Sequence, residues 1–120
     1  MGMSKEIFFL SNQLNLIKEY NMAVVKRTER EDGIVECLID STNIIMSEYD
    51  ESKSKLTLTF KAGTKYLYHD ILKRDYLRFE VSESQGEVFN KTMRKYKYDK
   101  LDSVDVVPIK ELINEAKGVN

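Results

Sequence analysis

The feature that most constrains the fold is an alternation of apolar and polar residues between positions 55 and 68. The apolar side chains recur at every second position, at Leu56, Leu58, Phe60, Tyr66 and Tyr68. A period of two is typical of a half-buried β-strand, and Gly63 lies where a turn would divide the run into two strands. The stretch therefore predicts an antiparallel hairpin in which both tyrosine rings lie on one side of the second strand and can pair across to the first.

Further strands are predicted before this hairpin. Residues 34–39 form a short, mostly apolar run, residues 44–46 form another, and turn-forming residues follow each of them. Residues 22–30 are compatible with a helix end or with a strand, and we favour a helix that ends between Tyr20 and Val25. Together these elements predict an α+β fold built on an antiparallel meander sheet.

A long amphipathic helix is predicted at the N-terminus. Residues 3–25 contain no Gly or Pro, and their apolar residues recur three or four positions apart. The apolar stripe suits packing across the sheet of the same chain and self-association equally well, and exposure of Phe8 or Phe9 would favour association. We expect residues 1–120 to form a single domain.

Two to three helices are predicted after the sheet. Asp70 could cap the first of them. Its apolar stripe would comprise Leu72, Tyr76 and Phe79. Ser84 and Glu87 have the spacing of a capping box, in which a hydroxyl and a carboxylate each accept a free backbone N–H at a helix start. This pair predicts where the second helix begins, and its buried stripe would run from Phe89 through Met93 to Tyr96.

The C-terminal residues indicate one more strand and one more helix. Residues 104–107 are rich in valine and could form an edge strand. Pro108 suits the first turn of a closing helix that runs through Ala116 and is stopped by Gly118.

Composition argues against several classes of function. The 120 residues include 19 Lys and Arg against 20 Asp and Glu, so the net charge is −1 and the molecule as a whole does not attract polyanions. Cys37 is the only cysteine and His69 the only histidine, which excludes an internal disulfide and a Cys-His zinc site. We therefore expect no catalytic residue, no metal and no cofactor. The apolar runs are too short to span a membrane, which predicts a cytoplasmic protein.

The basic segment between residues 91 and 100 is the strongest candidate for ligand binding. Five cations are interleaved there with Tyr96 and Tyr98: Lys91, Arg94, Lys95, Lys97 and Lys100. Cations contact phosphate oxygens, and a flat ring can stack under a base. Asn90 and Arg94 form the sharper pair, because Asn can bond a base edge or ribose while Arg holds a phosphate in a bidentate manner. Lys97 follows at the same helical spacing, whereas Lys91 and Lys95 are better interpreted as part of a solvated face.

Two further candidates lie outside that segment. Arg78 is adjacent to Phe79 and offers a second pairing of charge and ring, although such a phenylalanine is more often a core residue. Arg27 could reach a binding site from the N-terminal part of the chain.

The order and spacing of several of these residues resemble the KTSC domain, a module named for its occurrence at the C-terminus of some lysyl-tRNA synthetases. The resemblance is carried by Tyr49-Asp50, Leu56 to Phe60, Gly63, Tyr66-Leu67-Tyr68, Ser82 to Gly86, Phe89-Asn90, Arg94 and Tyr96. Ile71-Leu72 stand where the family usually has Val-Pro. The resemblance implies a KTSC-like core over residues 43–98, with residues 99–120 as a C-terminal extension.

A KTSC unit behind a long N-terminal helix and ahead of a short extension is similar to the phage Thoeris anti-defence proteins of the first type. The resemblance implies a homodimer or higher homo-oligomer, in the cytoplasm of an infected or lysogenic bacterium, that sequesters cyclic ADP-ribose isomers made by TIR-domain enzymes without cleaving them. These isomers are 1''-2' and 1''-3' glycocyclic ADP-ribose. Phe89, Asn90 and Arg94 are the matched positions, with Phe79 as an adenine platform. The alternative is an RNA-binding accessory module of the KTSC type, which a net charge of −1 disfavours for long nucleic acid.

Overall fold

The fold is a six-stranded antiparallel meander sheet, described for residues 23–118 by a computed structural model. The strands are hydrogen-bonded in chain order from β1 to β6. Their bounds are β1 Val24–Glu29, β2 Ile34–Ile39, β3 Ile44–Asp50, β4 Lys55–Phe60, β5 Lys65–Tyr68 and β6 Tyr98–Leu101. In the hairpin of β4 and β5, Leu56 is paired with Tyr68 and Leu58 with Tyr66. The register therefore confirms the hairpin predicted from the alternation.

The helices are divided between a crossover and the C-terminus. Three of them lie in the described part of the chain, α1 Lys73–Glu80, α2 Gln85–Val88 and α3 Val107–Lys117. A π-helical turn, Phe89–Met93, follows α2 directly. α1, α2 and this π-turn form the connection between β5 and β6, and α3 follows β6. The prediction of two to three helices after the strands is confirmed, except that the chain returns to the sheet before the last of them.

The two faces of the sheet are covered by different helices. On one face, α1 and the π-turn bury Tyr76, Phe79 and Met93 against strand residues such as Ile39 and Leu58. The ring of Tyr76 is stacked on that of Tyr49 from β3, with centroids 3.9 Å apart. On the other face, α3 packs across β1, β2 and β3. That second core comprises Leu38, Ile45 and Ile113. Alternation along the strands thus supplies apolar side chains to both layers.

The end of the predicted N-terminal helix is corrected. Val24 and Val25 belong to β1, because the segment from Val24 to Glu29 is hydrogen-bonded to β2 along its length. A backbone that donates to a neighbouring strand cannot also make helical i to i−4 bonds. Residues 3–22 of that prediction lie outside the described residues.

The start of α1 also differs from its prediction. Asp70 does not cap the helix, since it lies in a left-handed conformation with φ 55° and the N-cap position is Leu72. Leu72 is 48% exposed and is not part of the buried stripe, whereas Tyr76 and Phe79 are. The free N–H of Leu72 instead donates to the hydroxyl oxygen of Tyr96 at 3.2 Å. The start of α1 is therefore fixed by a residue that lies beyond the π-turn.

The remaining boundaries include both confirmed and wrong predictions. The Ser84 hydroxyl accepts the N–H of Glu87 at 3.4 Å, so Ser84 caps α2 as predicted. The reciprocal half of the capping box is wrong, because the N–H of Ser84 donates to the Ser82 hydroxyl at 2.9 Å and not to Glu87. Pro108 lies in the first turn of α3, and Gly118 ends that helix in a left-handed conformation. Residues 104–107 are not an edge strand, because the edge is β6 and α3 begins at Val107.

Gly63 connects the β4–β5 turn to the segment after β6. Its φ is 98°, a conformation that L side chains rarely adopt, and a Cβ there would lie 2.7 Å from the carbonyl oxygen of Val104. The N–H of Val104 donates to the Gly63 carbonyl at 2.9 Å. Glycine is therefore required at this close approach of two backbones.

Candidate functional site: an aromatic and cationic cleft

A cleft of about 890 Å³ lies where the π-turn, the β4–β5 turn and the last two strands meet. Its lining residues are Asn43, Phe60, Lys61, Ala62, Thr64, Tyr66, Tyr68, Phe89, Asn90, Arg94, Tyr98 and Lys110. The sheet contributes the tyrosines, the helical crossover contributes residues 89–94, and α3 contributes Lys110. A cavity of this volume is large enough for a nucleotide-sized ligand.

Five aromatic rings form one continuous wall of the cleft. Tyr66 and Tyr68 project from the same face of β5. Tyr98 lies on the adjacent strand β6, where it is paired with Tyr68. Phe60 and Phe89 complete the wall. Their two rings are in edge-to-face contact, with centroids 5.6 Å apart. The remaining contacts are also tilted or edge-to-face, as between Tyr66 and Tyr98 at 5.2 Å. Tyr98 is 56% exposed and so leaves the most ring surface open to a ligand.

The charged residues of the cleft are all positive. Lys61, Arg94 and Lys110 line it, and none of its twelve described lining residues carries a carboxylate. Within residues 23–118 none of these three cations makes an ion pair or a side-chain hydrogen bond. Uncompensated cations beside aromatic rings favour an anionic ligand with a flat group.

The π-turn brings Phe89, Asn90 and Arg94 to the cleft together. In an α-helix, residues five apart would point about 140° away from one another, because successive residues are about 100° apart. Here the N–H of Arg94 donates to the carbonyl of Phe89 at 3.1 Å, so one complete turn separates the two residues. Their side chains therefore leave the same side of the helix.

The segment after the π-turn is held by Asp75 of α1. The Tyr96 hydroxyl donates to the Asp75 carboxylate, and the Lys95 ammonium lies 3.3 Å from the same oxygen. Asp75 is buried, and the hydrogen bond from Tyr96, with a smaller contribution from Lys95, lowers the pKa of its carboxyl below the ordinary value. Arg94 thus lies next to residues that are fixed to the fold while its own guanidinium remains free of partners among the described residues.

Three of the seven predicted ligand residues line the cleft. They are Phe89, Asn90 and Arg94. Arg78 is exposed on α1 and Lys97 is exposed just before β6, but neither lines the cleft. Arg27 is bound to Glu29 and Glu80. Phe79 is fully buried in the core, so its ring cannot act as an adenine platform and the prediction of that role is corrected.

Sequence reasoning missed the rings and cations that face residues 89–94. The missed rings were Phe60, Tyr66 and Tyr68, and the missed cations were Lys61 and Lys110. Tyr98 was already part of the basic segment that the sequence indicated. The alternation had placed Phe60 and the two β5 tyrosines on one face, and this signal could have identified them as a surface. Nothing local marks Lys110, which comes to the cleft from α3, a helix separated in the chain from the other lining residues.

Cys37 and His69 each have a different partner in the fold. The Cys37 thiol is fully buried, and burial raises its pKa to about 11. Its sulfur lies 3.8 Å from the hydroxyl oxygen of Tyr76. His69 bonds Asp99 at 2.7 Å, at the end of β5. Within residues 23–118 no group of three or more His, Cys, Asp and Glu could hold a metal ion. In the same residues no helix is long and apolar enough to cross a membrane.

The fold and the cleft define a small α+β module in which a helical crossover is packed on a meander sheet and leaves an aromatic cleft at its edge. Residues 40–98 match the family model of the KTSC domain. The crystal structure of a KTSC-domain protein from Yersinia pestis is similar, with a TM-score of 0.52 and 20% identity, over 64% of this chain and 97% of that chain. No curated protein matches the chain. The chain therefore contains a KTSC domain, and eleven of the twelve cleft residues lie within it.

Proposed function

We propose that this protein binds a small anionic nucleotide in the cleft and sequesters it without cleaving it. The ligand class that we infer is the cyclic ADP-ribose isomers made by TIR-domain enzymes, 1''-2' and 1''-3' glycocyclic ADP-ribose. The protein would then be a phage anti-defence protein that blocks Thoeris immunity in the bacterial cytoplasm. The identity of this ligand rests on the resemblance to the first type of Thoeris anti-defence proteins, and the cleft supports its chemical class.

The observation that carries the proposal is the pairing of aromatic rings with unpaired cations in one cleft. A cyclic ADP-ribose isomer has a purine, which can stack on an exposed ring such as Tyr98, and a diphosphate, which needs cationic donors such as Arg94. Asn90 adds an amide that can bond a base edge or a ribose hydroxyl.

Sequestration of a scarce signal requires tight binding by a preformed site. A nanomolar affinity corresponds to about −12 kcal/mol, which one base stack and a few charge-assisted hydrogen bonds can approach only when little has to be ordered on binding. The rings of the cleft are already in mutual contact, and the segment that carries Arg94 is fixed through Tyr96. Both features support a site that is formed before the ligand arrives.

Self-association is part of the same proposal. Three apolar side chains of the α1 region, Leu72, Leu77 and Val81, are between 44% and 56% exposed. Apolar residues exposed side by side favour a protein interface. We expect a homodimer or a higher homo-oligomer, and measurement of the mass of the full chain in solution checks this.

The decisive experiment is a capture-and-release assay. The protein is incubated with a TIR-generated cyclic ADP-ribose isomer and filtered, and the retained protein is then heated. We expect the ligand to be depleted from the filtrate and released intact on heating. Arg94→Ala should weaken capture by roughly one to two orders of magnitude, because a charge-assisted hydrogen bond is lost.

Arg78→Ala is the matched control. It removes an exposed arginine from the neighbouring helix without touching the cleft, so capture should not change. Equal losses in both variants would mean that only the net charge matters, and the assignment of the cleft would be wrong. An altered product after heating would identify an enzyme, and an undepleted filtrate would exclude this ligand class.

Single-stranded RNA is the second candidate ligand, favoured by one observation. The exposed ring of Tyr98 lies on the edge strand β6 between the exposed cations Lys97 and Lys100. Rings and cations on a sheet surface can stack and neutralise a single strand. Titration with an adenylate oligonucleotide at several salt concentrations distinguishes the two ligands, since an RNA that contacts several phosphates loses affinity steeply with salt.

A further inference from the structure

Tyr68 is a buried residue of the cleft whose hydroxyl group has no partner. Only 3% of the residue is exposed, yet its hydroxyl makes no hydrogen bond within residues 23–118. The fully buried side-chain atoms without a partner in the described residues belong to Ser47, Thr59 and Gln85, so the Tyr68 hydroxyl is not cut off from the cleft that it lines. A hydroxyl that faces a cleft and makes no hydrogen bond within the described residues is a donor available to a ligand.

The surroundings of this hydroxyl identify what would satisfy it. The groups that act on it electrostatically are the hydroxyls of Tyr66 and Tyr98 and the guanidinium of Arg94, all three of which line the cleft. Burial, the largest cause, raises the pKa of Tyr68 to about 12, so the group stays protonated and able to donate. No described side chain accepts a hydrogen bond from it, so the hydroxyl can donate to an acceptor on a ligand that enters the cleft.

We propose that the hydroxyl of Tyr68 and the guanidinium of Arg94 form an oxyanion subsite at the floor of the cleft, which receives a phosphate oxygen of the ligand. The subsite rests on the proposed function in taking the oxyanion to be a nucleotide phosphate. The subsite would combine a neutral donor from β5 with a cation from the helical crossover, both of which line the cleft. The purine of the same ligand is left to the more exposed ring of Tyr98.

The test is Tyr68→Phe, studied by calorimetry with three probes. The probes are 1''-2' glycocyclic ADP-ribose, inorganic pyrophosphate and adenosine. Loss of one hydrogen bond to a charged group should weaken binding of the two phosphate-bearing probes roughly tenfold or more. Adenosine carries no phosphate, and its binding should be unchanged. The melting temperature should stay constant or rise, because the hydroxyl that is removed has no partner in the fold.

Tyr76→Phe is the matched control for removing a buried tyrosine hydroxyl. The Tyr76 hydroxyl donates to Glu80 at 2.5 Å and lies outside the cleft. This variant should lose stability and keep its affinity for every probe, which is the reverse of the behaviour expected for Tyr68→Phe.

The outcomes separate the subsite from the proposed function. If Tyr68→Phe binds the phosphate-bearing probes as tightly as the parent, the subsite is wrong and the capture of cyclic ADP-ribose can still stand. If the parent binds pyrophosphate but not the isomer, and Tyr68→Phe loses pyrophosphate, the subsite stands and the proposed ligand is wrong. A parent that binds neither phosphate-bearing probe overturns both.

Discussion

Two groups of basic residues in this molecule have opposite surroundings. Near the β1–β2 hairpin, the Arg27 guanidinium lies 2.6 Å from Glu29 and 2.9 Å from Glu80, and that of Arg30 lies 3.0 Å from Glu48. In the cleft, the cations are Arg94, Lys61 and Lys110, and none of them has a carboxylate partner among the described residues. The net charge of the chain is nearly zero, yet the two regions differ completely in how positive charge is compensated.

The difference indicates which arginines are available to a ligand. The hydrogen bond that Arg27 donates to Glu29 is the largest of the interactions that raise the pKa of Arg27 above its ordinary value, and Arg27 also neutralises the mostly buried Glu80. A phosphate would have to displace these carboxylates. Within the described residues no carboxylate is paired with Arg94, so its guanidinium is available to a ligand. The number of cations in a sequence therefore says less about ligand binding than the number left uncompensated.

The largest expected effect on stability separates two phenylalanines, one that belongs to the core and one that lines the cleft. Phe79 is fully buried, and Phe79→Ala should lower the free energy of unfolding by about 3–5 kcal/mol through lost packing and a cavity. Phe89 lies on the cleft in edge contact with Phe60 and Tyr68, and Phe89→Ala should cost less stability but weaken capture. Urea denaturation and the capture assay measure the two effects separately.

Phe79→Leu makes the same comparison in a protein that stays folded, since a smaller change in volume costs less. Its folded fraction should capture the ligand as well as the parent does. A loss of capture by folded Phe79→Leu, with Phe89→Ala unaffected, would reverse the assignment of the two rings.

The two arginine regions can be compared directly by alanine substitution. Arg27→Ala leaves the Glu80 carboxylate with only the Tyr76 hydroxyl, and we expect a loss of about 1–2 kcal/mol, moderated because Arg27 is partly exposed. Arg94→Ala removes no ion pair and no side-chain hydrogen bond within the described fold, so its free energy of unfolding should change by no more than about 0.5 kcal/mol. Chemical denaturation of both variants checks the contrast. Equal destabilisation would make Arg94 a structural residue.

Much of the sheet could be predicted from the sequence because its pattern is local. The alternation from Leu56 to Tyr68 determined the central hairpin, and the register confirms it. Pro108 and Gly118 marked the ends of α3 through their own backbone preferences. The edge strand was misplaced because the valines at 104–107 have higher β-propensity than the charged residues of β6. Edge strands, however, commonly carry charged residues.

The cleft could be predicted only in part because its assembly is not local. A stripe at helical spacing cannot reveal that Phe79 lies under the sheet residues while Phe89 reaches a surface. The π-turn has no propensity signature that would announce a bond between Phe89 and Arg94. Ser84, in contrast, was identified from its spacing to Glu87 alone, because a cap bonds residues three positions apart.

The smallest expected effect concerns the contact that fixes the segment beside Arg94. Asp75 accepts a hydrogen bond from Tyr96, and this bond lowers the pKa of Asp75 in the folded protein below its unfolded value. A lowered folded pKa stabilises the fold at pH values above the unfolded pKa, which is about 4 for Asp, and the stabilisation is lost as the pH falls through the folded pKa. The contribution should therefore be constant from neutral pH down to about 4 and decline below it.

A double-mutant cycle of Asp75→Asn and Tyr96→Phe isolates this contribution. We expect a coupling free energy of about 1 kcal/mol at pH 7 that becomes smaller in the acid range, measured by urea denaturation at each pH. The cycle also bears on the comparison of the two regions. Asp75 forms an ion pair with Lys95, the residue that follows Arg94, whereas Arg94 itself has no such partner among the described residues. If capture of the nucleotide by folded Tyr96→Phe matches that of the parent, the π-turn alone suffices to orient Arg94. If capture by folded Tyr96→Phe falls while the coupling free energy is as expected, the contact between Asp75 and Tyr96 both stabilises the fold and preorganises the cleft. The groups that stabilise the fold and those that bind the ligand would then not be fully separate.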